Sequence, residues 1–271
     1  MVDHTPEQLR RLWQLPEPTG RLGRPASLTT EDIVGTAVEL ADQGGLEAAT
    51  LPKIARELRV TAMSLYRHIG SKRELVELMV DFALTPPTRA KRPERNWRDA
   101  TADWAEELWD RYRTRPWAAR APTYSAPAGP NQLEWLEQAL ASLACTDLAW
   151  SEKIGYAMLV NGYVRQSALL SHDLTEGLDD SEVQSESEHN YGKTMRKFLD
   201  PKRFPELSAM FDSEVFNGLT ASTATTQRDD FRSGLSTILD GIAHRLEQRR
   251  VGSNDSQCGC HTREDSGWPS R

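Results

Sequence analysis

Residues 28–84 read LTTEDIVGTAVELADQGGLEAATLPKIARELRVTAMSLYRHIGSKRELVELMVDFAL. Cap residues divide this stretch into three short helices and the start of a fourth. Thr29 or Thr30 precedes a run with Ile33, Ala37, Leu40 and Ala41 at helical spacing and Val34 and Val38 beside them. Asp32 stands three residues after Thr29, as a capping box requires, and Gly44-Gly45 stops the helix. Thr50 is expected to cap a second helix over 51–58, with Leu51, Ile54, Ala55 and Leu58 inward and Pro52 harmless in its first turn. Val60 fills the next turn. Thr61 caps a third helix over 62–68 with Leu65 inward. Ser71 and Glu74 repeat the capping pattern and open a fourth helix carrying Leu75, Leu78, Met79 and Phe82 on its face. The turn between the second and third helices is so tight that the pair reads as a helix-turn-helix.

The third helix is barely two turns long and needs its neighbours for stability. Its outward set is Thr61, Ala62, Met63, Ser64, Tyr66, Arg67 and His68. Small and hydroxylated residues at its start allow close entry into a DNA major groove. Ala62 and Met63 suit thymine methyls, and Ser64 suits a base edge or a phosphate. Tyr66, Arg67, His68 and Lys72 form a rim suited to phosphate oxygens. A merely solvated surface helix would not need cap, turn and rim to agree.

RVTAMSLYRHIGSKRELVELM at 59–79, preceded by ATLPKIAREL and by GRPASLTTEDIVGTAVELADQGGLEA, resembles the DNA-binding domain of the tetracycline-repressor (TetR) family of bacterial transcriptional regulators. The resemblance implies that Thr50 and Lys53 meet phosphate or a base at the start of the second helix. It implies that Thr61, Ala62, Met63 and Ser64 face the bases and that Tyr66, His68 and Lys72 grip the backbone. Two positions depart from the family. Arg59 stands where Gly is common in the turn, and a left-handed backbone there costs a non-glycine residue about 1 kcal/mol. Either the turn differs or Arg59 is kept for phosphate. Pro52 stands where some members carry a base-reading Arg, which leaves Lys53 for that work.

The chain has 271 residues, 38% of them apolar, with a net charge of −7. That length suits two modest domains or one large one. The acidic total does not argue against DNA, because binding follows the local field. Arg10, Arg11, Arg21, Arg24, Lys53, Arg56, Arg59, Arg67, Lys72 and Arg73 crowd the first third. Residues 173–190 hold seven Asp or Glu and no Lys or Arg, and read as a solvated loop. No apolar run reaches membrane length and no signal-peptide core opens the chain, so a cytoplasmic protein with no membrane association is expected. Three cysteines make no disulfide framework. Cys258, Cys260 and His261 are the nearest approach to a metal motif, but they lie in a polar segment, and neither metal nor cofactor is expected. The arm before Leu28 places Arg21 and Arg24 ahead of the first helix. It is either a minor-groove contact or a tail with incidental charge.

Prolines near 86–93 end the fourth helix and mark a linker. Helical period resumes with Trp97, Thr101, Trp104, Leu108 and Tyr112, breaks at RTRPW, and returns from Asn131. The helix over 151–171 is apolar on nearly all sides, with Gly155 and Gly162 seven residues apart. The helix over 227–249 carries Phe231, Leu235, Ile238, Leu239, Ile242 and Leu246, with Gly234 and Gly241 beside them. These stripes are either internal core or a four-helix pairing with the same helices of a second copy. WRDATADWAEELWDRYRTRPW, GPNQLEWLEQAL, RFPEL and FRSGLSTILDGI, in that order, resemble the C-terminal ligand-binding and dimerisation domain of the same family.

The expectation is therefore an all-α protein. A flexible basic arm covers 1–27, a helix-turn-helix domain with a connecting helix 28–84, a ligand-binding and dimerisation domain 97–250, and a disordered tail 251–271. It is expected to bind a palindromic double-stranded DNA operator as a homodimeric repressor and to be released by an apolar or aromatic small molecule. Aromatic walls with a few polar groups suit such an effector; Trp104, Tyr112, Trp117, Trp135, Met158, Asn161, Gln166 and His172 are the candidate lining. No Gly-rich phosphate loop, G-x-S-x-G elbow or H-E-x-x-H motif suggests catalysis. The alternative is a helical enzyme or partner-binding protein that retains a helix-turn-helix.

Overall fold

The cap residues organise the first half. In the computed structural model, which describes residues 4–15, 28–86, 96–175, 191–213 and 224–257, every regular element is helical. Helix α1 spans Pro6–Leu12, α2 Thr30–Gly44, α3 Leu51–Glu57, α4 Ala62–Ile69 and α5 Lys72–Ala83. The Thr29 hydroxyl accepts from the Asp32 amide while the Asp32 carboxylate accepts from the Thr29 amide, a complete capping box. Gly45, at φ 73°, ends α2 in a conformation that suits glycine. Thr50 occupies the N-cap position of α3, but its hydroxyl makes no capping bond, contrary to the sequence reading. Arg59 does take the left-handed backbone, at φ 55°.

Ile33, Ala37, Val38, Ile54, Leu65, Ile69, Leu75 and Met79 are buried together in the first core. Phe82 is not among them. It is 43% exposed, because the inward stripe of α5 ends on Met79 and Ala83. Ser71 caps α5 through the Glu74 amide. The Glu74 carboxylate does not complete a box. It is buried and holds the Arg11 guanidinium through both oxygens.

That pair corrects the reading of residues 1–27 as a flexible arm. Residues 5–12 form a capped helix, with a full box between Thr5 and Gln8. Leu12 enters the first core, and the Trp13 indole N–H donates to the Ala128 carbonyl at 3.0 Å. Arg21 and Arg24, the acidic stretch beyond Thr175, and Cys258, Cys260 and His261 lie outside the described residues.

The second half comprises α6 (Trp97–Thr114), α7 (Pro116–Arg120), α8 (Pro130–Ser142), α9 (Trp150–Thr175), α10 (residues 191–198), α11 (Pro205–Asp212) and α12 (Ala224–Gln257). Helix α12 carries the chain in helical form through residue 257, where a disordered tail was expected from 251. The second core joins α6, α8, α9 and α12. Phe231 of α12 stacks between Trp109 of α6 (centroids 4.9 Å apart) and Tyr163 of α9 (5.6 Å). The Tyr163 hydroxyl donates to the Phe231 carbonyl at 3.0 Å. It sits over Gly234, where any Cβ would come within 2.1 Å of it. Gly234 thus makes room for a side chain of its own chain rather than for a partner helix. Glu106 of α6 pairs with Arg228 and Arg232 of α12, and its hydrogen bond from Arg232 above all holds its carboxyl below the usual range.

Helix α9 is not buried all round. Ala157, Val160, Val164 and Ala168 face the core, while Ile154, Met158, Leu159 and Leu170 are exposed. The two halves meet along α5 and α7. Trp117 and Ala118 belong to the first core and Ala119 to the second.

Candidate nucleic-acid interface and internal cavity

Helix α4 lies on the surface of the first core, fixed from beneath by Leu65 and Ile69, both fully buried. The Thr61 hydroxyl accepts from the Ser64 amide and shares a hydrogen bond of 2.9 Å with the Ser64 hydroxyl. The Thr30 hydroxyl reaches across from α2 to the His68 carbonyl at 3.3 Å. At the C-terminal end of α4, Gly70 has φ 61° and lies against the Arg11–Glu74 pair, where a Cβ would fall 2.4 Å from Glu74 Oε2. A helix too short to stand alone is thereby held at both ends and along one side.

What α4 leaves outside is the set the sequence names. Thr61, Met63, Tyr66 and Arg67 are exposed, and Ala62, Ser64 and His68 are half-buried. Met63, at 72% exposure, is a large apolar side chain with no core to enter. Lys53, Arg59, Arg67 and Lys72 are exposed and have no ion-pair partner among the described residues. Thr50 is half-buried beside them. Unneutralised cations around a small-residue helix make a local positive field on an acidic protein.

A cavity of about 220 Å³ lies between the two halves. Its walls come from α5 (Val76, Glu77, Val80), α6 (Trp104, Leu108, Tyr112), α8 (Gln132, Trp135, Leu136) and α9 (Ala157, Met158, Asn161, Arg165), with residues 121–125 closing one side. The indoles turn their polar edges away from it. Trp104 donates to the Trp135 carbonyl and Trp135 to the Leu84 carbonyl, at 3.0 and 2.6 Å. Arg165 ties down the closing segment through the Ala119 and Ala121 carbonyls and the Thr123 hydroxyl. Glu77 accepts from Ser125 at 3.3 Å and pairs with Arg73 and His4. Burial pushes the Tyr112 phenol above its ordinary pKa, opposed by the nearby Arg165 charge.

Five of the eight candidate lining residues reach this cavity: Trp104, Tyr112, Trp135, Met158 and Asn161. Trp117 does not. It packs in the first core and donates to Asp42 of α2 at 2.6 Å. Gln166 is exposed, since five residues after Asn161 on a helix is about 140° round its axis. His172 lies farther along α9, about 16 Å beyond Asn161 at the helical rise. Arg165 was missed, although its spacing from Ala157 and Asn161 is eight and four residues, the signature of one helix face. Glu77 and Gln132 gave no comparable signal.

One joint links α5 to α8 beside the cavity. Asp81, at the C-terminal end of α5 and 5% exposed, points at the start of α8. It accepts from the Gln132 amide at 2.9 Å, and from the Asn131 amide and side chain at 3.5 and 3.3 Å. Helix α8 has no side-chain cap of its own, so Asp81 supplies one from another helix. Gly129 is required there, because a Cβ would meet Asp81 Oδ1 at 2.1 Å.

Among the described residues, no group of three His, Cys, Asp or Glu could hold a metal, and no helix is long and apolar enough to cross a membrane. Residues 33–79 match the family model for bacterial regulatory proteins of the tetR family, and residues 89–246 match that for the tetracyclin repressor-like C-terminal domain. The chain is 30% identical over 253 residues to the HTH-type transcriptional repressor DrrR1 of Streptomyces coeruleorubidus, across 89% of this chain and 87% of that protein. It is 24% identical to the class E tetracycline repressor protein of Escherichia coli, across 83% of this chain and 95% of that protein. Among solved structures, the Streptomyces coelicolor TetR family protein ActR in complex with actinorhodin superposes with a TM-score of 0.65 at 26% identity, covering 82% of this chain and 99% of ActR.

Proposed function

The chain belongs to the tetracycline-repressor family of bacterial regulatory proteins, and from that premise we propose that it represses transcription as a homodimer on a palindromic operator until a small molecule releases it. The observation that carries this reading is α4. It is buried only through Leu65 and Ile69 and offers Ala62, Met63, Ser64 and Tyr66 outward within a rim of unpaired cations. Thr61, Ala62, Met63 and Ser64 read bases in the major groove. Tyr66, Arg67, His68 and Lys72 hold phosphates, which fixes register without reading sequence, and Thr50 and Lys53 meet a phosphate or a base at the start of α3. The action is binding rather than catalysis, and it takes place in the cytoplasm, where the operator is.

Residues 28–84 form the DNA-binding unit and 97–250 the effector and dimer unit. The exposed face of α9, with Ile154, Leu159 and the open Gly155 and Gly162, pairs with its counterpart on a second chain, and α12 joins it beside Gly241. A similar regulator holds a small molecule, actinorhodin, which supports a small-molecule effector in the cavity here. Coupling runs through α5. Val76, Glu77 and Val80 wall the cavity, and the same helix begins at Lys72 beside α4. A ligand that fits better when α5 is displaced favours the arrangement with mis-spaced recognition helices. A ligand with equal affinity for both arrangements shifts nothing. DNase footprinting on DNA upstream of the chain's own gene tests this. Symmetric protection over two half-sites is expected, and full-affinity binding to a lone half-site is the result that overturns it.

A further inference from the structure

The polar groups around the cavity sort into two classes. Those with charge are already engaged by the chain. The three guanidinium nitrogens of Arg165 all donate to Ala119, Ala121 and Thr123, and Glu77 is held by Arg73, His4 and Ser125. Four neutral groups remain. The Tyr124 hydroxyl is on the closing segment, where that residue is exposed to solvent; the other three each come from a different helix: the Tyr112 hydroxyl from α6, the Gln132 amide from α8 and the Asn161 amide from α9. Among the described residues none of these three side chains has a hydrogen-bond partner. Tyr112 is buried apart from what it contributes to the cavity wall, so a ligand that displaces water there and leaves its hydroxyl unpaired meets a cost. The rest of the wall is indole and aliphatic surface.

We infer that the cavity takes an uncharged aromatic molecule bearing hydroxyl or carbonyl oxygen, and that Tyr112, Gln132 and Asn161 are the residues that select it. This rests on the reading above that the cavity is the effector site. A phenol can donate or accept and an amide does both, so the three suit an oxygen that is itself donor or acceptor. A charged ligand would leave water without a free counter-charge, and an anion would also meet Glu77. An unsubstituted ring would leave three polar groups unpaired, which is how sites built for a hydroxyl reject analogues that lack it.

The test uses the full chain and three probes of one shape: naphthalene, 2-naphthol and the anion 2-naphthoate, measured by equilibrium dialysis at neutral pH. We expect 2-naphthol to bind about five- to tenfold more tightly than naphthalene, the worth of one net hydrogen bond, and 2-naphthoate more weakly than 2-naphthol. Tyr112→Phe keeps the ring. It should cut 2-naphthol affinity several-fold and leave naphthalene unchanged, and Asn161→Leu provides a second variant on a different helix. Equal or tighter binding of 2-naphthoate would overturn the inference. So would a 2-naphthol preference untouched by both substitutions, or no binding of any probe. A parallel gel-shift separates the two readings. Binding with the expected preference but without DNA release keeps the ligand chemistry and refutes the effector role.

Discussion

Replacing Asp81 by Ala should loosen the joint between the DNA-binding helices and the cavity, at a cost that the geometry bounds. The carboxylate accepts two backbone amides at the start of α8 and the Asn131 side chain, and α8 has no cap of its own. Losing an N-cap costs about 1 kcal/mol, and removing a negative charge from a partly buried helix N-terminus about 1 more. Asn131 keeps its bond to the Asp81 carbonyl, which survives the substitution. Against these stands relief from burying a carboxylate, the main reason its pKa is raised above the ordinary 3.8. The net loss should be about 1–2 kcal/mol, read as a lower urea midpoint at unchanged slope. The sign with pH is specific. A raised folded-state pKa means the folded protein binds the proton more tightly than the unfolded chain. This group therefore stabilises most below 3.8, and that stability is lost as pH rises through the folded value. Wild type gains on acidification where the variant does not, so the variant's deficit should widen as pH falls from neutral. A deficit that shrinks on acidification would mean that the α8 amides hold Asp81 as an anion, and would refute the burial argument. No deficit at any pH would mean that water caps α8 equally well.

Four further outcomes are expected. Lys72→Ala should weaken binding to all sequences alike and lower the salt slope by about one unit, whereas Met63 and Ser64 substitutions should change the preferred base; competition binding at several salt concentrations separates the two. Gly241→Leu meets no atom within 4 Å of its Cβ in the single chain, so monomer stability should hold while an overpacked partner contact loses about 1–3 kcal/mol, visible as monomer in sedimentation. Arg59→Gly should raise stability by up to about 1 kcal/mol by relieving the left-handed backbone, yet weaken DNA binding in a salt-dependent way if the guanidinium meets phosphate. Arg11→Ala strands a Glu74 that is 2% exposed and should cost about 3 kcal/mol in denaturant titration, the lower end for breaking a buried pair because Arg11 is itself partly solvated.

What was legible in the sequence is what local chemistry determines. Thr29 with Asp32, Thr61, Ser71 and Gly45 act within four residues of themselves, so their spacing alone sets where α2, α4 and α5 begin or end. The inward and outward faces of α4 followed from its period. The cavity was legible only in part, because tryptophans look alike until a distant partner is known. Trp117 is claimed by Asp42, 75 residues away, while Trp135 finds the Leu84 carbonyl and turns its face to the cavity. Gln166 and His172 failed on geometry that was available, since the period that includes Arg165 excludes Gln166 and helical rise removes His172.

What the sequence left open at α9 and misplaced at α1 has one physical root. Periodicity reports which residues leave water, not which surface receives them. Helix α9 is apolar on nearly all sides, which suits either internal core or pairing with a second copy, and within the chain Ile154, Met158 and Leu159 face away from the core. An apolar face that the monomer does not cover is the one surface a second copy would gain most by burying. Helix α1 shows the converse. Seven residues with little apolar stripe cannot stand alone, so composition reads them as an arm. They fold because Glu74 is already buried beneath them, and a buried carboxylate is tolerable only when paired. The pairing site existed in the sequence as the last letter of S-x-x-E. The motif correctly started α5, but its acid serves Arg11 of another helix, and through that pair the residues before the recognition domain come to rest against Gly70 at the end of α4.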